Sequence, residues 1–306
     1  MSDYWSQYWQ QGHLTSFGED IKENYTGELK DAWQNIFCKL NEKDHVLDIG
    51  TGNGALIALA LESSNVNCKF VGIDYAKLNI KNKALLDSEF VSFKENVSVE
   101  SLPFEGGTFS KVISQFALEY TDLQKAIAEV SRVIQSGGRF QFVCHHENST
   151  IVLPNNATLN ATKEIMKSNG PYQLAKNLIE LLTMKVNGSH DEKENIREKL
   201  NKEIAEIVGI DEEAFYATNF PKFLQGIFSK RSAEDKYTII EQFGSEMKGL
   251  ILRLDDLKRA ALTEIRKNEL LELCSKHGLS VETCSIVKQA DDSILAYQIY
   301  GSKSLL

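Results

Sequence analysis

The chain has 306 residues, with 34 Lys plus Arg against 43 Asp plus Glu and a formal net charge of -9. The length suits about two domains, or one domain with a large insertion. With 42% apolar and 25% charged residues, the composition excludes a disordered chain, a collagen-like repeat and a small disulfide scaffold, and the acidic balance argues against nucleic acid as a partner.

The first segment is aromatic. Asp3 to Gly18 carries Tyr4, Trp5, Tyr8, Trp9 and Phe17, and a spacing of three to four sets Trp5 with Trp9 on one helical face and Tyr4 with Tyr8 beside it. Two readings stand: an anchor packed on the domain, or a lid that closes over a ligand and holds a cation against its rings. The start has no basic stretch followed by an apolar core, as a signal peptide would need, and no apolar run reaches the ~20 residues of a membrane span.

From residue 45 to 144 short apolar runs alternate with helical stretches. Strands are expected at His45 to Ile49, Lys69 to Ile73, Phe90 to Lys94, Lys111 to Ser114 and Arg139 to Cys144. Helices are expected at Ala55 to Glu62, Tyr75 to Leu86 and Leu123 to Gln135, with turns at EGGT and SGG. That alternation predicts an α/β fold with a parallel sheet and crossover helices. From 151 to 265 the strand pattern disappears and Lys, Glu, Ile and Leu recur at helical spacing; Ser189 to Ile207 reads as a charged, solvated helix. Asn219 to Phe228 is the most aromatic stretch there, suited to a pocket, an interface or the insertion's own core. A helix at Arg266 to His277, stopped by Gly278, leads into strands at Leu279 to Val287 and Ile294 to Tyr300. The five cysteines (Cys38, Cys68, Cys144, Cys274, Cys284) are odd in number and scattered, which suits reduced thiols in a cytoplasmic protein and gives no metal-ligand spacing.

The chemistry concentrates in VLDIGTGNG, Val46 to Gly54. It follows a strand and opens a helix, where glycines let the backbone bend sharply and touch a ligand. The pattern is G-x-G-x-G with Asp48 two residues before it, whereas the dinucleotide fingerprint is G-x-G-x-x-G. A carboxylate there suits a cationic or amino-bearing ligand. Asp74 ends the second strand about twenty residues on, where a carboxylate can accept both ribose hydroxyls.

These residues resemble the class I S-adenosylmethionine-dependent methyltransferases. The resemblance extends through FVGIDYA (Phe70 to Ala76), SVESLPFEGGTFSKVISQFALEY (Ser98 to Tyr120) and EVSRVIQSGGRFQFV (Glu129 to Val143). It implies a Rossmann-like, doubly wound, mostly parallel seven-stranded sheet with an antiparallel last strand, formed by residues 30–150 and 256–306. A cap at 1–29 and a helical insertion at 151–255, as substrate lid or homodimer contact, complete the layout. It implies S-adenosylmethionine as cofactor, S-adenosylhomocysteine as product, and binding by Asp48, Gly50, Thr51, Gly52, Gly54, Asp74, Tyr75, Ser98, Val99, Gln115 and Phe116. Ser98 departs from the family, where many members place an Asp toward the adenine amino group; Glu100 is the candidate substitute.

The acceptor side is less legible. Loops beyond the carboxyl ends of parallel strands bind ligands in such folds, which nominates His145, His146, Glu119 and Tyr120 as catalytic or acceptor-binding groups. Each has a plain structural alternative: a hydrogen-bonded core histidine, a helix-start carboxylate. The expected activity is methyl transfer to N, O or S of a small molecule. The sequence Ser114-Gln115-Phe116-Ala117 replaces the N/D-P-P-Y/F motif of base-modifying relatives, so a nucleic-acid acceptor is disfavoured. A protein methyltransferase or a non-catalytic S-adenosylmethionine-binding regulator are the competing readings.

Overall fold

A computed structural model of the chain describes residues 2–16, 23–64, 67–183, 190–229 and 232–305. They fall into two compact units, Met1–Val152 with Arg259–Leu306, and Leu153–Lys258. In the first, the helices are α1 (Ser2–Gln10), α2 (Gly27–Phe37), α3 (Ala55–Ser63), α4 (Lys83–Leu86) and α5 (Leu123–Val133). The strands interleaved with them are β1 (His45–Ile49), β2 (Lys69–Ile73), β3 (Val91–Lys94), β4 (Phe109–Gln115) and β5 (Ile134–His145). Six helices follow: α6 (Val152–Ile165), α7 (Pro171–Thr183), α8 (His190–Ile210), α9 (Glu212–Ala217), α10 (Phe220–Phe228) and α11 (Ala233–Ala260). The chain then closes with α12 (Glu264–Lys276), β6 (Leu279–Lys288) and β7 (Ile294–Lys303).

The seven strands lie in the order β3-β2-β1-β4-β5-β7-β6. β1 to β5 are mutually parallel, and β7 runs antiparallel between β5 and β6. The expected Rossmann-like sheet is therefore present. Alternation along the strands sorts its two faces. Leu47, Ile49 and Val112 pack with Ile127, Val130 and Leu270 on one side; Val46 and Ile113 pack with Trp33, Phe37 and Leu56 on the other. Burial on both faces is why these strands read as apolar runs. In register, Ile49 lies beside Ile73 and Ser114, so the carboxyl ends of β1, β2 and β4 open together. The strand order reverses between β1 and β4, the place where doubly wound sheets leave a ligand crevice.

Two elements differ from the sequence expectation. The SGG stretch lies within β5, not in a turn before it. A Cβ on Gly138 would meet Gln135 O at 2.8 Å and Ser110 O at 3.0 Å, and the β4–β5 register shifts between Phe109 and Lys111. The glycine thus admits a close strand-to-strand approach at an irregularity. The helix expected at Tyr75 to Leu86 shrinks to α4. Its first part is held in irregular backbone by side chains from elsewhere: Lys77 N donates to Ser6 Oγ, Leu78 N to Glu95 Oε1 and Asn79 N to Asn53 Oδ1. Those partners take the amides that a helix would use.

The second unit is helical. Its core gathers Phe215, Phe220, Phe223, Ile227 and Phe243, with Phe223 stacked on Phe243 at 4.3 Å. The aromatic stretch Asn219 to Phe228 thus supplies the unit's own core. α8 is mostly solvated, with only Leu200 and Ile207 buried; Ser189, where the sequence began that helix, lies outside the described residues. No described helix is long and apolar enough to cross a membrane.

Candidate active site

The loop between β1 and α3 is built from backbone. Gly50 and Gly52 take positive φ (67° and 51°), open to glycine at no steric cost. A Cβ on Gly50 would also collide with the Ala117 methyl, and one on Gly52 would lie 2.7 Å from the Trp9 ring. Thr51 N donates to Ile73 O at 2.9 Å, which ties the loop to β2. Gly52 N donates to Asp74 Oδ2 at 2.9 Å and Ala76 N to Asp74 Oδ1 at 2.8 Å. Thr51 Oγ1 donates to Asp48 Oδ2 at 2.7 Å.

Both carboxylates are held away from water. Burial pushes Asp48 up to about 7 against the lowering effect of the Thr51 hydrogen bond, with the Asp74 charge adding to the rise. Asp74 is raised too, again by burial, while the Ala76 and Gly52 amides oppose it. Two carboxyls held up by burial, one at the end of β1 and one just after β2, favour a positively charged ligand beside them.

Beyond the loop lies a cavity of about 430 Å³, within the usual range for a small-molecule site. Of the residues expected to bind cofactor, Asp48, Gly50, Thr51, Asp74, Tyr75, Ser98, Val99, Gln115 and Phe116 all line it. Gly52 and Gly54 stand behind, Gly52 through its bond to Asp74 and Gly54 at the start of α3. Glu100 also lines the cavity, and Ser98 Oγ accepts from Glu100 N at 3.2 Å. Gln115 Oε1 accepts from Trp33 Nε1 at 2.6 Å. Because indole only donates, this fixes the amide's orientation and turns Gln115 Nε2 toward a hydrogen bond with the Tyr25 side chain. Phe116 sits at φ 55°, an unusual conformation for a bulky residue, at the wall of the site.

The aromatic segment covers part of this cavity. Trp5 and Trp9 of α1 line it, while Tyr8 turns inward, donating to Thr15 O at 2.9 Å and stacking on His13 at 4.7 Å. Asn53 Nδ2 donates to Trp9 O and His13 O, and Gln10 Nε2 to Leu78 O, so side chains of the core and of the cap lace the N-terminal segment to the glycine loop and to the stretch after β2. Tyr4 lies 6.3 Å from Trp5; Phe17 is outside the described residues. Tyr25, Leu14 and Leu56 also line the cavity, and no motif marked them. Tyr25 precedes α2 in an unpatterned loop, so only the fold brings it here.

Of the four candidate catalytic groups, Tyr120 lines the cavity and the others do not. Glu119 is buried, its Oε1 accepting from His145 N at 2.7 Å, and burial raises its carboxyl to about 7. His145 stacks face to face on Phe116 at 4.1 Å and 7°, and burial lowers its imidazole to about 3, so it is neutral and supports the wall from behind. His146 packs on Tyr297 at 4.4 Å, and its Nδ1 accepts from Asn148 N. Glu119 and His145 are thus brought together behind the cavity wall, whereas His146 packs away from it on Tyr297. Among the described residues no cluster of His, Cys, Asp or Glu could hold a metal.

Comparison with known proteins agrees with this geometry. Residues 47–142 match the family model described as a methyltransferase domain. Those residues form a class I S-adenosylmethionine-dependent methyltransferase domain. The matched region holds the glycine loop, Asp74 and β4, which line much of the cavity. The chain is 35% identical over 116 residues to an uncharacterized methyltransferase of Bacillus subtilis, covering 35% of this chain and 43% of that protein. It is 32% identical over 126 residues to the ubiquinone/menaquinone biosynthesis C-methyltransferase of Zymomonas mobilis, covering 39% and 51%. The chain thus spans about half the length of the curated relatives it matches. A solved 1,6-didemethyltoxoflavin-N1-methyltransferase of Burkholderia thailandensis aligns over 98% of this chain and 87% of its own, at 11% identity and a TM-score of 0.48.

The cofactor of the methyltransferase domain is S-adenosylmethionine, and the residues present fit it. The glycine loop is a cradle that side chains would fill. Asp48 and Asp74 offer negative charge to a cationic ligand, and Asp74 stands where ribose hydroxyls can be accepted.

Proposed function

We propose that the chain is an enzyme that transfers the methyl group of S-adenosylmethionine to N, O or S of a small-molecule acceptor. The observation that carries this reading is one cavity with a glycine-and-carboxylate loop on one side and an aromatic wall on the other. When bound, the cofactor supplies a methyl group activated by its sulfonium. The protein's share is then mainly positioning and the exclusion of water. Asp74 and the Val97–Glu100 strip hold the nucleoside end, and Asp48 with Thr51 the amino-acid end. Gln115 and Phe116, at the end of β4, flank the space where the methyl group would lie. Trp5 and Trp9 close that space from above. The lack of any cationic side chain on the described cavity wall speaks against a phosphate-bearing acceptor such as nucleic acid. Cytoplasmic residence belongs to the same reading and is supported by five unpaired cysteines.

The test has two parts. Calorimetry should show S-adenosylhomocysteine binding that Asp74→Ala weakens at least tenfold; unchanged affinity would sink the cofactor assignment. A panel of small phenols, thiols, amines and carbon acids with isotopically labelled S-adenosylmethionine should then give a labelled product. The carbon acids belong in it because one relative is named a C-methyltransferase.

A further inference from the structure

Resting on the methyl-transfer reading, we propose that the acceptor is an uncharged molecule with a flat conjugated ring, held against Trp5, Phe116 and Tyr120 beyond the end of β4. The argument begins with charge. The described cavity wall carries three carboxylates, Asp48, Asp74 and Glu100, and no Lys, Arg or His. Asp48 and Asp74 flank the glycine loop, while Glu100 lies on the strip after β3 and is tied to the turn after β4, its Oε1 accepting from Asp122 N at 3.0 Å. S-adenosylmethionine carries a sulfonium and an ammonium against one carboxylate, so its positive charge answers theirs.

The other end is built from neutral groups: Trp5, Tyr25, Gln115, Phe116, Tyr120 and Thr121. An anionic acceptor there would lose water, gain no counter-charge from the described wall and face the carboxylates across the cavity. A protonated amine has no lone pair to give. The nearest further carboxylate, Glu119, is turned into the protein and held by the His145 amide. A neutral acceptor is what remains.

Its shape follows from the rings. Trp5 meets Tyr120 edge-on at 6.1 Å and 89°, and Phe116 is fixed by His145 stacked on it at 4.1 Å. Stacking on fixed aromatic plates rewards a flat ring over a flexible chain. Gln115, whose Oε1 is held by Trp33 Nε1 and which hydrogen-bonds Tyr25, sets a polar pair beside those rings that can meet an oxygen or nitrogen on the acceptor. In the transfer, the acceptor's lone pair forms the new bond to the methyl carbon as the carbon–sulfur bond breaks toward sulfur. The proton of a phenol or ring N–H leaves to water, and no oxidant or reductant is needed.

The experiment uses the full chain saturated with S-adenosylhomocysteine and three probes of one shape: naphthol, naphthoate and naphthylmethylammonium. Binding is read by calorimetry and by Trp fluorescence. Naphthol should bind at least tenfold more tightly than either ion. Tyr120→Ala should weaken naphthol at least fivefold while S-adenosylhomocysteine affinity stays within twofold, which also shows that the variant is folded. A charged probe that binds as tightly as naphthol, no binding by any probe on the loaded protein, or an unaffected Tyr120→Ala overturns this inference and leaves the cofactor assignment intact. Failure of the protein to bind S-adenosylhomocysteine overturns the methyl-transfer reading itself.

Discussion

The two walls of the cavity are made by opposite means. The wall proposed for the cofactor rests on main chain: Gly50 with Gly52 and Gly54 behind it, amides aimed at Asp74, and two carboxyls buried against their own preference. The wall proposed for the acceptor is side chain: rings from α1, from the loop before α2 and from the turn after β4, with a layer of Glu119 and His145 behind them. A main-chain wall tolerates almost no added atom, because the groups it presents cannot change rotamer. A side-chain wall can exchange one ring for another and so is where specificity can drift.

That contrast is broken most severely at Gly50. Gly50→Ala adds a methyl at a positive φ and drives it into Ala117. Cofactor affinity should fall about a hundredfold or more in calorimetry. Ala117→Gly in the same chain removes the collision but not the backbone strain of roughly 1–2 kcal/mol, so it should restore affinity only in part. Full affinity in the single variant would mean that the loop is softer than a main-chain wall can be.

Removal of residues 1–18 tests the other wall. The aromatic cap should be dispensable for folding, because the buried residues of both sheet cores lie outside it and only Leu14 packs on their edge. It should be required for turnover, because Trp5 and Trp9 leave the cavity open to water when they go. Circular dichroism should be native-like and methyl transfer lost. Full activity would leave the segment as an anchor.

The same contrast explains what could be read from the chain alone. Val46 to Gly54 and Asp74 were legible because a main-chain site needs glycine at fixed positions, and fixed positions make a motif. The sheet was legible because strands buried on both faces are apolar runs. The irregular stretch at 75–82 was not, because its shape is set by Ser6, Asn53 and Glu95, side chains distant in sequence. Tyr25 and the retreat of His145 and Glu119 behind the wall were hidden for the same reason: a strand end shows which residues are near, not which way each turns once the neighbours are packed.

A smaller effect separates the two walls by pH. Asp48 has a folded value of about 7 against an ordinary 3.8, so this group favours the fold only below about 4 and opposes it increasingly as pH rises to 7. Asp48→Asn should therefore stabilise the cofactor-free protein at pH 8, by on the order of 1–2 kcal/mol, or about 2–4 °C in Tm per kcal/mol. The gain should shrink toward pH 4, while S-adenosylmethionine affinity falls. Stability and binding moving in the same direction would show that Asp48 is not held in reserve for a cation.

His145 should show the reverse sign. Its imidazole is lowered by burial to about 3 from an ordinary 6.5, so the neutral ring favours the fold fully above 6.5 and that contribution is lost as pH falls from 6.5 toward 3. His145→Phe keeps an aromatic plate behind Phe116 and keeps the backbone amide that Glu119 accepts from, but removes the titration. Glu119, raised to about 7, titrates over part of the same range with the opposite sign and is present in both proteins, so the difference between them isolates the histidine. Denaturant unfolding at a series of pH values should give a wild-type-minus-variant difference that is flat above 6.5 and falls steadily below it. A flat difference down to pH 4 would mean that the imidazole reaches solvent, and then the acceptor wall has no rigid backing at Phe116.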